Sequence, residues 1–446
     1  MEQNAMRGLP AVHRLLSEPA IVAYEDSLGR EAVKALAREA LERGRAALSA
    51  GHAFDAERRL LADLEAAATA QLQPVINATG ILVHTNLGRA PLARAALDAA
   101  ERIGAGYSNL EYDLYDGRRG SRYERVSARL ARLFGAEDAL VVNNCAAAML
   151  LLLDTFARGR ECIVARSELV EIGGGFRIPD VLERSGARLV EIGTTNKARL
   201  ADVERALSPQ TALILRTHRS NFSLEGFVEE LDARELAAFA RRSGVMLVED
   251  LGSGALLDMT AFGLPRERTV REALEEGVAV VAVSGDKLFG GPQCGMLLGS
   301  RLALGRMRGN PLLRALRVDK TTLAMLDATA RLHESDATRL EIPLYAMLAA
   351  SVDDLQRRGE AAIARAGHGR LVATRAAVGG GALPGATLAS TAIAIDTPDA
   401  DGVARRLRSA RTPVIARIEE ALVLLDLRGV LPAEDAALAD AIAAAL

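Results

Sequence analysis

From Pro74 onward, short apolar runs suited to strands alternate with longer runs of helical spacing, and this alternation narrows the fold more than any other feature. Ala139-Leu140-Val141-Val142-Asn143, Cys162-Ile163-Val164-Ala165, Leu189-Val190-Glu191-Ile192, Ala212-Leu213-Ile214-Leu215, Val245-Met246-Leu247-Val248 and the stretch Val278 to Val283 read as strands. Ala146 to Ala157 reads as a helix between the first two. Strands separated by helices imply a mostly parallel sheet covered on both faces, since each parallel crossover needs a dozen or more residues to return. Ligands of such sheets bind outside the carboxyl ends of the strands. Asn143, Asp250 and Ser284 all stand at such ends.

Chemistry collects there. The run Ser284-Gly285-Asp286-Lys287-Leu288-Phe289-Gly290-Gly291 places one lysine just past a buried-looking strand, inside a glycine-rich turn. A lysine amine in a cleft can form a Schiff base and then act as a base at a substrate carbon. The strand ending Val248-Glu249-Asp250 supplies an acid. A carboxylate beside a pyridinium nitrogen keeps that nitrogen protonated, so Lys287 and Asp250 together point to pyridoxal phosphate. The bland alternatives are a solvated turn lysine and an exposed loop acid before Gly252-Ser253-Gly254. Asn144-Cys145-Ala146-Ala147 joins a strand to a helix with small residues, so that backbone N–H groups around Cys145 and Ala146 can approach a phosphate at the positive end of the helix dipole. The Ser284 hydroxyl is placed to join them. Arg89, in Thr85-Asn86-Leu87-Gly88-Arg89, and the pair Arg314 and Arg317 form a further set. Arginine forks suit a tetrahedral oxyanion; spacing alone reads them equally as salt bridges at a domain interface.

Composition removes several classes. Aromatic residues make up 3% of the 446 and tryptophan is absent, so a wide platform for stacking nucleobases is not expected. The net charge of −3 gives no bulk signal for nucleic acid. Three widely spaced cysteines, Cys145, Cys162 and Cys294, suit neither a disulfide framework nor a zinc cluster, and no metal site is expected. Met1 to Arg7 lacks a charged-then-apolar leader pattern, and no apolar run reaches the length of a membrane span. A reduced, cytoplasmic protein is the expectation. Residues 1–72 read as a small helical domain, 73–322 as the catalytic α/β domain, and 323–446 as a smaller α+β domain.

Many of these blocks, in this order, resemble the bacterial selenocysteine synthase family, the L-seryl-tRNA(Sec) selenium transferases. The resemblance runs nearly end to end. It includes Leu9-Pro10-Ala11-Val12, Ile76-Asn77-Ala78-Thr79-Gly80, Tyr107-Ser108-Asn109-Leu110-Glu111-Tyr112, Glu191-Ile192-Gly193-Thr194-Thr195-Asn196, Asp250-Leu251-Gly252-Ser253-Gly254, Ser284-Gly285-Asp286-Lys287 and Arg314-Ala315-Leu316-Arg317. It implies an α/β fold-type-I pyridoxal-phosphate transferase, like the aspartate aminotransferases, with Lys287 as the Schiff-base lysine and Asp286 important for activity. Arg89, Arg314 and Arg317 are implied to hold the anion of selenophosphate. Seryl-tRNA(Sec) is the implied substrate, gripped by the N-terminal helices. A homodecamer of five dimers, with active sites at subunit interfaces, is also implied. The chain departs from the family pattern at Arg166-Ser167-Glu168, at the third glycine of Gly173-Gly174-Gly175, and in a shorter C-terminal part. Two other readings stay open: a related lyase acting on a free amino acid or amino-sugar acid, and a non-catalytic tRNA-binding protein. The acid that protonates the leaving hydroxyl is not identified by sequence; His84 and His218 are candidates.

Overall fold

The computed structural model describes residues 9–172, 175–219 and 221–446, so Met1 to Arg7 and glycines 173 and 174 lie outside it. The chain forms two compact units, residues 1–75 and 76–446. In the first, helices Arg30–Ser49 and Ala56–Thr69 and three single-turn helices close on Leu15, Ile21, Val33, Leu41, Leu60 and Leu64. Asp55 caps the second long helix by accepting from Arg58 N–H at 3.0 Å, a contact worth about 1 kcal/mol.

The second unit is built on a seven-stranded sheet. Its strands are β1 (Asp138–Val142), β2 (Glu161–Ala165), β3 (Arg188–Ile192), β4 (Thr211–Thr217), β5 (Met246–Gly252), β6 (Val280–Ser284) and β7 (Gly295–Gly299). Their spatial order is β1-β7-β6-β5-β4-β2-β3. The five strands from β3 to β6 pair in parallel, while β7 is antiparallel to both β6 and β1. The mostly parallel sheet and the strand positions expected from the apolar runs are therefore present. The strand β7 was not expected. It is bounded by Gly295 and Gly299, where a Cβ would stand 2.1 Å from Asn144 O and 2.2 Å from Ala279 O; its neighbours pass too close for any side chain. Every residue of β6 is buried, as a strand covered on both faces requires.

Helix α1 (Cys145–Phe156) follows β1 and is apolar almost all round, with Leu151, Leu152 and Leu153 each buried; such a helix belongs inside the molecule. It starts one residue before the expected Ala146 because Asn144 caps it, accepting from Ala147 N–H at 2.8 Å.

A second, five-stranded sheet runs in the order Arg417–Glu419, Leu422–Asp426, Thr387–Asp396, Arg370–Gly379, Ile81–Val83. Its last strand comes from near the start of the unit and pairs in parallel, Gly379 opposite Val83. Helices Val352–Ala366 and Asp435–Ala445 contribute Leu355, Ala362, Leu438 and Ile442 to the core beneath it. The stretch from Lys320 to Ala349 forms three helices, Lys320–Leu332, Asp336–Arg339 and Pro343–Ala349. Pro343 at the start of the third fits the break before it, since proline is suited to the first turn of a helix.

Candidate active site

The turn after β6 is buried without interruption from Val280 to Pro292. It is fastened by its own backbone: Gly285 N–H donates to Cys294 O at 2.9 Å, Gly291 N–H to Gly285 O at 2.8 Å, and Leu288 N–H to Ser253 O at 2.9 Å. Glycine is needed at Gly285, where a Cβ would meet Cys294 Sγ at 2.5 Å. Behind the turn, His333 stacks on Phe289 at 4.7 Å and its Nε2 lies 2.8 Å from Phe289 O. Burial pushes the His333 imidazole down to about 4.

This frame holds Lys287 at 6% exposure. Its Nζ lies 3.5 Å from Gly381 O, on the turn that follows strand Arg370–Gly379. Gly381 has φ +89°, and a Cβ there would come within 2.4 Å of the amine. The turn at Gly380 and Gly381 is thus the far wall of the lysine's chamber. The near wall is Gly252, where a Cβ would stand 3.5 Å from Lys287 Nζ and 3.7 Å from Asp250 Oδ1. Amine and carboxylate therefore face one space across a residue without a side chain.

Asp250 lies two residues before the end of β5 and is buried. Burial raises its carboxyl, and the Lys287 charge opposes that rise. The Cys145 thiol donates to Asp250 Oδ1 at 3.3 Å. Burial, reinforced by Asp250, pushes that thiol well up, so it acts as a donor and not a thiolate; the Ser284 hydroxyl lies beside it. Cys145 and Ala146 open α1, where the first N–H groups have no acceptor within their own helix. Lysine amine, buried carboxylate, open helix start and serine hydroxyl thus surround one region, walled by glycines at the points of closest approach. That set fits pyridoxal phosphate: an amine for its aldehyde, a carboxylate for its ring nitrogen and N–H donors for its phosphate.

Arg89 and Asp286 adjoin this region. Arg89 Nη1 donates to both Asp286 oxygens at 3.0 and 2.8 Å, and Ala90 N–H donates to Asp286 O at 3.2 Å. Arg89 holds φ +65°, a left-handed conformation uncommon for residues other than glycine. Arg314 and Arg317 lie elsewhere, lining a cleft of about 380 Å³ with Glu111, Arg119, Arg122, Tyr123 and Arg308. Arg317 Nη1 is 3.9 Å from Glu111 Oε1, and Arg122 holds the Glu111 carboxyl below its usual range. Asn143 N–H donates to Leu316 O at 2.9 Å, tying this arginine segment to the turn that opens α1. The structure therefore brings Arg314 and Arg317 together and leaves Arg89 with Asp286. Arg119 and Arg122, which sequence reasoning passed over, share the cleft.

Of the two histidine candidates, His84 is half-buried and lines a different cavity with Thr79, Gly80 and Arg417. His218 follows β4 beside Asp250, its N–H donating to Asp250 O at 2.8 Å. Burial and then the Lys287 charge push its imidazole down to about 4, so at neutral pH it is uncharged, with an N–H that can donate a hydrogen bond but no imidazolium proton to protonate a leaving hydroxyl.

A family model described as L-seryl-tRNA selenium transferase matches residues 75–431, and one described as selenocysteine synthase N terminal matches residues 6–45. The chain belongs to the L-seryl-tRNA selenium transferase family. It is 46% identical to the L-seryl-tRNA(Sec) selenium transferase of Moorella thermoacetica over 100% of this chain and 97% of that one. It is 43% identical to that of Hyphomonas neptunium, covering 95% of each. Among solved structures, that of D-glucosaminate-6-phosphate ammonia-lyase aligns with a TM-score of 0.60 at 20% identity, over 83% of this chain and 96% of that one. At that identity the likeness is one of fold. The large sheet of this selenium transferase family member shares its fold with that lyase, in keeping with the α/β architecture the resemblance implied. Among the described residues, no helix is long and apolar enough to cross a membrane.

Proposed function

We propose that this chain converts L-seryl-tRNA(Sec) to L-selenocysteinyl-tRNA(Sec) in the cytoplasm, using pyridoxal phosphate and selenophosphate. The observation that carries the reading is the buried Lys287 amine facing the Asp250 carboxylate across Gly252, within a member of this family. Lys287 Nζ would hold the cofactor's aldehyde, Asp250 its ring nitrogen, and Ser284 with the Cys145 and Ala146 N–H groups its phosphate. When bound, pyridoxal phosphate supplies a sink for the electrons left on the seryl Cα as its proton departs and the β-hydroxyl is eliminated.

The chain's own residues do the rest. Freed by the incoming serine, the Lys287 amine takes the α-proton at Nζ and later returns it. Asp250, kept dry and given a thiol donor by Cys145, holds a proton on the ring nitrogen. Glycine walls at 252 and 381 leave room for the seryl group while the surrounding burial excludes water. Arg314 and Arg317, from their cleft, bind the anion of the selenium donor. Arg89, paired with Asp286 beside the lysine turn, is the third arginine for that anion, at the cofactor end of its path. The helical N-terminal region grips the tRNA. A homodecamer of five dimers places a second copy against the open arginine cleft.

Incubating the purified protein with seryl-tRNA(Sec), pyridoxal phosphate and labelled selenophosphate tests this reading. Label on the tRNA(Sec)-linked amino acid, and none with seryl-tRNA(Ser) or free serine, is the expected result. Turnover of a free amino acid or amino-sugar acid, with no label on tRNA, would overturn it.

A further inference from the structure

The strand order β1-β7-β6-β5-β4 lays out the site as a row. At one end is the turn after β1, with the open N–H groups of Cys145 and Ala146. Next come Lys287 after β6 and Asp250 near the end of β5. The row continues to β4, whose Thr217 is in register with Asp250 and whose next residue is His218. Pyridoxal phosphate carries its phosphate arm and its ring hydroxyl on opposite sides of the carbon that bears the aldehyde. With the arm at the β1 end, the aldehyde at Lys287 and the ring nitrogen at Asp250, the hydroxyl edge must face β4.

What β4 presents there is His218, and it is placed for a ligand. Its main chain is pinned by the 2.8 Å bond to Asp250 O. Its Nε2 stands 3.6 Å from Glu267 Oε1, and Glu267 is itself only 6% exposed. Among the described residues, its enclosed Nδ1 has no hydrogen-bond partner. The imidazole also borders a cavity of about 380 Å³ with Arg216, Arg219, Phe222 and Leu251. The titratable and charged groups acting on this imidazole are Glu267, Lys287 and Arg219. A half-buried, uncharged imidazole with one enclosed nitrogen unsatisfied and a carboxyl opposite the other is a group waiting for a polar atom.

We propose that His218, its Nε2 accepting from the protonated Glu267 carboxyl, donates its Nδ1–H to the ring hydroxyl oxygen of the bound pyridoxal phosphate. This rests on the cofactor reading given above. A donor at that oxygen draws on the negative charge that would otherwise hold the proton of the neighbouring lysine–cofactor nitrogen. With the donor gone, that proton is held to higher pH.

The test is spectroscopic, on the full-length protein loaded with pyridoxal phosphate. The visible band of the lysine-linked cofactor is titrated against pH, and cofactor affinity is measured alongside it. In His218→Phe the titration midpoint is expected to rise by about one pH unit, a tenfold shift, with affinity falling about tenfold. His218→Gln keeps a donor and stays nearer the wild-type midpoint; Glu267→Leu, which removes the group that fixes the tautomer, moves it in the same direction as His218→Phe but less. Circular dichroism establishes that each variant is folded, and if His218→Phe is not, the Glu267→Leu midpoint decides. A midpoint in the deciding variant equal to that of the wild type overturns the assignment, whatever happens to affinity. A wild-type protein with no visible band that Lys287→Ala removes overturns the cofactor reading, and this inference with it.

Discussion

The lysine turn and the arginine segment are both short, both follow a strand or helix of the same unit, and both serve the same proposed reaction, yet they are built in opposite ways. Val280 to Pro292 is buried throughout and fastened by backbone bonds, with His333 stacked behind it. Arg314 is exposed and Arg317 only partly covered, in a cleft open to solvent. A cofactor that stays with the protein can be met by a prebuilt chamber, whose ordering cost is met once, on folding. A selenium donor that arrives and leaves in each cycle needs an entrance and side chains free to close on it.

Three measurements bear on this contrast, and two of them can break it. The largest effect belongs to Lys287→Ala, which should lower selenium transfer by at least roughly 10⁴-fold, the scale for losing both nucleophile and base. Single-turnover assays with labelled selenophosphate measure it, and a variant within tenfold of wild type would show that the closed turn is not the catalytic pole.

The next concerns what makes the turn rigid. The His333 imidazole, ordinarily near 6.5, is pushed down to about 4 by burial. A histidine depressed in the folded state stabilises the fold fully above its unfolded value and loses that contribution as pH falls from 6.5 through 4. The loss should approach roughly 3 kcal/mol at the acid end. Urea unfolding of wild type and His333→Gln at pH 7 and pH 4.5 checks this. The variant should be less stable at pH 7, where it forfeits the stacking on Phe289, and should lose less stability between the two values. Equal pH dependence in both proteins would remove His333 as the acid-sensitive brace.

The smallest effect sharpens the comparison instead. Arg314→Ala or Arg317→Ala should raise the KM for selenophosphate by about tenfold, the scale of one charge-assisted contact. Exchange of the seryl α-proton with solvent should be unchanged, because that step uses only the closed pole. Loss of exchange together with transfer would mean that the two poles do not work separately.

How much of this could be read from the sequence follows the same division. The sheet was legible because β1, β2, β4, β5 and β6 are apolar runs with clear ends, and because a parallel sheet demands the helices seen between them. Lys287, Asp250 and the start of α1 were legible because strand ends are where such folds place chemistry. β7 was not, since its terminal glycines read as the tail of the preceding turn, and nothing local reports that a neighbouring carbonyl passes about 2 Å from a missing Cβ. Strand Arg370–Gly379 was missed because its Arg-, Ala- and Gly-rich composition has weak strand preference. Arg89 was recognised as an arginine for an anion, but its partner Asp286 lies 197 residues away. No pattern within a window of the sequence connects such residues; only the completed fold does.

The reach of those contacts bears on how the enzyme comes into being on the ribosome. Asp286 must find Arg89 across 197 residues, and Lys287 gains its far wall only from Gly381, 94 residues later. A nascent chain that has just delivered its lysine therefore holds the residue in an unfinished chamber. The site becomes whole only after the strand Arg370–Gly379 has emerged and paired with Ile81–Val83, among the first strands made. Such long-range closure is slow relative to local folding. Prematurely terminated chains that stop short of Gly381 thus carry the lysine without the chamber that would make it reactive.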